Sequence, residues 1–235
     1  MRLNQFIAET GLCSRREADK LIASGAVLVN GQTATLGMQV SETDKITVKG
    51  KPVRRESERI FILLNKPLGV TCTTNKRDKS NIIDYVGHPK RIFMIGRLDK
   101  NSTGAILLTN DGTIVNKLLR SENHHEKTYT VQVNKPITAD FISKIGAGVK
   151  IYLPDTDTYV VTKPCVVKQL SKDKFEITLT QGYNRQIRRM CEELGFKVIS
   201  LNRIKFLFLT LANLRLGKAR NLTPEEIARL DKIVN

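Results

Sequence analysis

The chain is short of cysteine, histidine, acidic residues and long apolar runs, and each shortage excludes something. Its 235 residues hold four cysteines, Cys13, Cys72, Cys165 and Cys191, and no CxxC pair. A disulfide framework is therefore not expected, and the pattern reads as a reduced protein of the cytoplasm. The three histidines are His88, His124 and His125. The adjacent pair beside Glu126 lacks a cysteine or a spaced second pair, so no metal is expected. The longest apolar runs, such as 206–211, fall far short of the ~20 residues that span a bilayer. The first residues mix charge and polarity, so neither a secretory signal nor membrane association is expected.

Acidic residues are scarce against their counterparts. Asp and Glu number 23 and Lys and Arg 39, a net charge of +16 and a pI near 9.9. A chain this basic is suited to a polyanionic partner. The charge is also focused. Residues 1–58 carry nine basic and seven acidic side chains, a net +2. Residues 181–220 carry nine basic and two acidic, a net +7. Concentration of cations in one stretch is what a phosphate-binding surface requires. The 40% hydrophobic content is enough for a core without staples.

The start reads as an α-α-β unit. Leu3, Phe6 and Ile7 recur at helical spacing. Ser14 is a good N-cap, and Glu17 completes a capping box. Ala18, Leu21 and Ile22 form the apolar stripe of a second helix, with Gly25 as its stop. A strand over 26–29 and an Asn30-Gly31 hairpin turn follow. Arg15, Arg16 and Lys20 lie on roughly one side of the second helix. A solvated charged face is the commoner fate of such residues, but this stretch resembles the S4 RNA-binding domain. The resemblance rests on Arg2-Leu3-Asn4, Ser14 to Ala18, Gly25, Val27, Val29, Asn30 and Gly31. It implies RNA binding through the helix pair, with Arg15, Arg16 and Lys20 as contacts.

Residues 51–59, Gly-preceded, charged and aperiodic, read as a linker between a domain at 1–50 and another at 60–235. Beyond it, strand-like segments at 60–64, 92–95, 105–109, 128–133, 159–167 and 175–180 alternate with helical ones at 112–119, 139–145 and 185–194. Thr223 and Pro224 open a last helix. The pattern is α+β, with a mixed, mostly antiparallel sheet flanked by helices.

One loop stands out. At 96–112 the sequence is GRLDKNSTGAILLTNDG. A strand ends at Gly96, a polar loop carries Asp99, and a second strand starts after Gly104. Arg97 and Lys100 flank the carboxylate and favour its ionised form. On residue chemistry alone, a turn aspartate bonded to its own backbone is the commoner reading. The segment is, however, similar to the GRLDxxTxGLLLLTNDG signature of the RsuA/RluA-type pseudouridine synthases. Asn65 to Val70 resembles that family's NKPxG segment, Glu126 to Tyr129 its KxY segment, and Gln181 to Met190 its GxNRQIRRM segment. The RsuA branch, and within it the RluF type acting on 23S ribosomal RNA, is most similar.

The resemblance implies an enzyme that turns uridine into pseudouridine in ribosomal RNA or its precursor, with transfer RNA as a second substrate. It needs no cofactor, because the isomerisation has no net redox change. It makes Asp99 the nucleophile, Tyr129 the stacking partner of the base, and Arg188 the cation paired with Asp99, with Arg185 as second choice. Arg97, Lys127, Asn184, Arg185 and Arg189 become candidate substrate contacts. Tyr183 stands where many relatives have arginine. Two other readings stay open: a non-catalytic S4-type RNA-binding protein, and a metal-dependent nuclease using Asp99 and Asp111. Nothing in the sequence demands more than a monomer.

Overall fold

The computed structural model describes residues 1–55, 58–119 and 125–234. Contacts divide the chain into two units. One is Met1–Ile60 with His88–Phe93 and Thr109–Gly112, and the other is Phe61–Gly87, Met94–Leu108 and Thr113–Asn235.

The first unit opens with α1 (Leu3–Glu9) and α2 (Arg15–Ala23). The Ser14 hydroxyl accepts from Glu17 N at 3.2 Å, and Ser14 N donates to the Glu17 carboxylate at 2.7 Å. This is the reciprocal box that the sequence spells out. Strands β1 (Val27–Val29), β2 (Gln32–Thr33), β3 (Ile46–Val48) and β4 (Lys51–Pro52) form a sheet in the order β2-β1-β3-β4. Asn30 and Gly31 turn β1 into β2 with φ of 52° and 85°. Two left-handed residues in a two-residue loop suit the twist of the flanking strands. Leu3, Phe6, Ile7, Ala18, Ile22, Val27, Ile46 and Val48 make the core.

The stretch expected as a linker is not free chain at its start. Lys51 and Pro52 pair with β3, and Arg55 binds Glu9 at 2.7 Å and Glu42 at 3.0 Å. Its mixed charges find partners within this unit, which aperiodic sequence does not reveal. Residues 56 and 57 lie outside the described residues.

The second unit is built on β5 (Phe61–Lys66), β6 (Phe93–Ile95), β7 (Thr103–Thr109) and β8 (Lys127–Val133). The short α3 (Ile82–Val86) precedes β6, and α4 (Thr113–Leu119) follows β7. After β8 come α5 (Ala139–Ala147), β9 (Lys150–Leu153), β10 (Thr158–Val161), β11 (Val166–Gln169) and β12 (Lys174–Leu179). The chain ends with α6 (Gln186–Glu193), β13 (Val198–Phe206), β14 (Leu209–Thr210), β15 (Ala219–Asn221) and α7 (Pro224–Val234). Among the described residues the main sheet has nine strands, in the order β11-β12-β8-β13-β7-β5-β15, with β14 beside β13 and β6 beside β7.

The β7–β13 pair is parallel, while β13–β8, β8–β12, β12–β11 and β5–β15 are antiparallel. The expected strand at 159–167 is two strands: β10 pairs with β9 in a separate ribbon, and β11 joins the main sheet. Pro164, which has no N–H to give a ladder, lies at the break. Two cores flank the sheet. One gathers Val131, Phe141, Ile145, Phe175, Ile177, Ile187, Met190 and Leu201 under α5 and α6. The other gathers Phe61, Ile95, Leu107, Ile114, Leu118, Phe206 and Leu230 under α4 and α7.

Gly104 shows why the motif glycine is needed where β7 meets β13. Its φ is +112°, and a Cβ there would sit 2.3 Å from Arg203 O and 2.6 Å from Arg203 N. Only a residue without a side chain lets the two backbones approach this closely.

Candidate active site

The loop from β6 to β7 is held from several sides. Leu98 is buried, and its N–H points at Cys72 Sγ, 3.4 Å away. Ser102 N donates to Asp99 O at 3.0 Å, closing a turn over 99–102. Gly69 N donates to Lys100 O at 3.0 Å. The 67–70 segment that carries Gly69 is itself anchored by Lys66. That lysine is fully buried, and its Nζ donates to Pro67 O at 2.9 Å and Val70 O at 2.8 Å. Burial pulls the Lys66 amine below its ordinary pKa, and nearby Cys72 and Asp99 oppose the shift. Asn65 Nδ2 donates to Leu214 O at 2.8 Å. The Asn65-Lys66-Pro67 segment thus supports the Asp99 loop.

Arg188 approaches that loop from α6. Its side chain is 9% exposed and its Nε lies 3.9 Å from Asp99 Oδ2, whose side chain is 32% exposed. Nη2 donates to Asn101 O at 2.8 Å and is 3.5 Å from Ser102 Oγ, and Nη1 reaches Val198 O at 3.4 Å. Arg188 Nε has no hydrogen-bond partner among the described residues. Two nitrogens are fixed to the scaffold, and the third is turned to the carboxylate just beyond hydrogen-bond range. Burial, then Arg185, pulls the guanidinium down from its ordinary pKa, while Asp99 pulls it up. That ordinary value is far above neutrality, so the group stays a cation.

A cavity of about 90 Å³ opens at this carboxylate. Asp99, Tyr129, Arg97, Arg185 and Gln181 line it, with Leu98, Leu179, Ile187 and Leu201 as apolar wall. Tyr129 lies in β8 opposite Ile177 and Arg203. Arg185 precedes α6 with φ of +53°, a left-handed conformation uncommon for a residue with a side chain. The Gln186 side chain fastens that turn by accepting from Tyr183 N at 3.0 Å. The cavity therefore combines a carboxylate, a ring and two exposed arginines, and Arg188, 3.9 Å from that carboxylate, is not among its lining residues.

The family model described as RNA pseudouridylate synthase matches residues 60–193, and that described as S4 domain matches residues 1–46. The chain belongs to the RNA pseudouridine synthases. It is 49% identical to the Dual-specificity RNA pseudouridine synthase RluF of Escherichia coli O6:H1 over 236 residues, covering 100% of this chain and 79% of that protein. It is 39% identical to the Ribosomal large subunit pseudouridine synthase B of Bacillus subtilis, covering 97% and 95%. A crystal structure of a pseudouridylate synthase superposes with a TM-score of 0.69 at 31% identity, covering 98% and 99%.

Not every candidate of this synthase reaches the cavity. Lys127 does not line it. It lies two residues along β8 from Tyr129, partly buried, with Nζ 3.4 Å from His125 O. Burial, then Arg203, pulls its amine below the ordinary pKa. Asn184 and Arg189 bind each other, with Arg189 Nε donating to Asn184 O at 3.0 Å. Arg15, Arg16 and Lys20 are exposed along α2 in the first unit. Asp111 forms an ion pair with Arg59 at 3.0 Å. His124 lies outside the described residues. Sequence reasoning missed Ser102, Gln181 and the supporting role of Cys72. Ser102 and Gln181 both sit inside recognised motifs, but their burial and bonding depend on distant strands.

Proposed function

We propose that this synthase converts uridine to pseudouridine in ribosomal RNA, that of the large subunit first and transfer RNA second, with Asp99 as nucleophile. The observation that carries the assignment is the Asp99 carboxylate at a cavity beside Tyr129, with the buried Arg188 Nε 3.9 Å away. The names of the relatives support the substrate class. In the reaction the C1′–N1 bond breaks, the uracil turns, a C1′–C5 bond forms, and the proton leaving C5 is balanced by one gained at N1. No oxidant is consumed. A carboxylate suits such a reaction because it can both form and release a covalent intermediate. Arg188 sets a fixed positive charge 3.9 Å from the carboxylate. Tyr129 offers a flat face to a base that has left its stack, and the exposed Arg97 and Arg185 answer its phosphates. The S4-like residues 1–50, with Arg15, Arg16 and Lys20, add affinity for folded RNA. The enzyme works as a cytoplasmic monomer in this reading, and its four free cysteines suit a reducing compartment.

The test is pseudouridine mapping by carbodiimide-stop reverse transcription on RNA from cells with and without the gene. A stop lost on deletion and restored by the wild-type gene names the target. An unchanged map, together with no turnover by purified protein on ribosomal or transfer RNA, would favour the non-catalytic binding role.

A further inference from the structure

Gln181 follows β12 and is 7% exposed, yet it lines the Asp99 cavity. Its two polar atoms are distinguished by a partner. The Lys163 backbone N–H can only donate, and it lies 3.1 Å from Gln181 Oε1. An amide flip would set N–H against N–H, so the orientation is fixed. Nε2, a donor, is the atom that remains, and it has no hydrogen-bond partner among the described residues.

The segment that fixes it is well tied. Thr162 N donates to Val149 O at 3.0 Å, Val149 N returns a bond to Thr162 Oγ1 at 2.9 Å, and Cys165 N donates to Gly146 O at 2.9 Å. Lys163 is thus held in place, and so is the glutamine it binds.

Burying an unpaired donor is unfavourable, and native proteins rarely tolerate one without a use. The cavity does contain acceptors, the Asp99 carboxylate and the Ser102, Tyr129 and Tyr183 hydroxyls, but none of them makes a hydrogen bond with Nε2. A uridine arriving in the cavity presents oxygens that accept: two uracil carbonyls and the ribose 2′-hydroxyl.

We propose that Gln181 contacts the substrate directly, its Nε2 donating to an acceptor oxygen of the extruded uridine, either a uracil carbonyl or the 2′-hydroxyl. The proposal rests on the reading that the Asp99 cavity receives the target nucleoside. It makes Gln181 a residue that seats the base before and during its rotation. The residue belongs to the segment Gln181 to Met190, so one short stretch supplies both the seat and the cation beside Asp99.

The experiment uses the full chain and a synthetic RNA carrying the mapped target. Gln181→Leu removes both polar atoms. Gln181→Glu keeps an acceptor for Lys163 N–H and replaces the donor with an acceptor oxygen and a negative charge in the cavity that holds Asp99. Each variant is first checked for a native circular-dichroism melt, then for kcat and KM. Both are expected to lose roughly ten-fold in kcat/KM, the size of one neutral hydrogen bond. RNAs with 2-thiouridine, 4-thiouridine or 2′-deoxyuridine at the target then name the oxygen: the replacement on which wild type and Gln181→Leu no longer differ removes the partner. Wild-type kcat/KM in both variants overturns the proposal. So does a Gln181→Leu defect that Gln181→Glu fully rescues, because the role is then only to hold Lys163. Asp99→Asn runs in parallel. Activity in Asp99→Asn would sink the site reading itself, whereas an inactive Asp99→Asn beside unaffected Gln181 variants would sink this inference alone.

Discussion

Replacing Arg188 with lysine keeps a cation on α6 and removes the guanidinium fork. The structure sets the size of the effect. The bond to Asn101 O at 2.8 Å is short and charge-assisted, while the contacts to Val198 O at 3.4 Å and Ser102 Oγ at 3.5 Å are long. A hydrogen bond to a charged group contributes about 1.5–3 kcal/mol. The approach to Asp99 adds less, because the pair is 3.9 Å apart and the carboxylate is 32% exposed. One ammonium cannot reach Asn101 O and also face Asp99 from a second nitrogen. Arg188→Lys should therefore cost about 1.5–3 kcal/mol of stability. Arg188→Met should cost at least as much, about 1.5–3 kcal/mol, because it removes every bond this guanidinium makes to Asn101 O, Val198 O and Ser102 Oγ.

Activity should fall further than stability. The Asp99 loop would lose the tie at Asn101, and a misplacement of about 1 Å at a reacting group costs on the order of 100-fold. Urea unfolding gives the first quantity and single-turnover pseudouridine formation the second. A lysine variant within about 0.5 kcal/mol of wild type in stability, a change typical of an inert surface site, and turning over normally would refute the reasoning. Lost stability with normal turnover would confine Arg188 to scaffolding.

Three further outcomes follow from particular contacts. Gly104→Ala should destabilise by at least ~3 kcal/mol, since it adds a forbidden φ to a backbone overlap; a melt within a degree or two of wild type would contradict the β7–β13 approach. Burial pushes the Cys191 thiol up to about 12 and the Cys165 thiol up to about 11. Neither should react with a thiolate-selective reagent at pH 7.5 until urea unfolds the chain, and rapid native labelling at either position would disagree. The Glu226 carboxyl is held below its ordinary value by the Arg220 guanidinium, at 2.6 and 2.7 Å. Its contribution to stability is present above the unfolded carboxylate pKa and is lost as pH falls through the folded one. Glu226→Gln should therefore lower stability near neutrality and flatten its decline on acidification, and an unchanged acid limb would count against the pairing.

Local chemistry was the most legible part of the chain. The Ser14–Glu17 box, the Asn30-Gly31 turn and the Thr223 cap each involve residues within a few positions, so their signals are complete in the sequence. The Asp99 loop was legible only as a motif. Its carboxylate could equally have served a turn, and what singles it out is Arg188, 89 positions away and brought in by α6. Lys127, a candidate substrate contact through its place in the KxY segment, lies two residues along β8 from Tyr129 and outside the lining of the cavity. The break at Pro164 and the pairing of Lys51 and Pro52 depend on which strand accepts which edge, a tertiary choice that periodicity does not encode. Gln181 was invisible as a donor because its orientation is set by the backbone of Lys163.

The most direct test of the central claim is turnover by purified Asp99→Asn on the RNA that the wild-type protein modifies. Asparagine is nearly isosteric and cannot act as an anionic nucleophile. The expected result is a folded protein that binds the RNA with near wild-type affinity and forms no pseudouridine. Pseudouridine formed by that variant at a rate near wild type would contradict the assignment of Asp99.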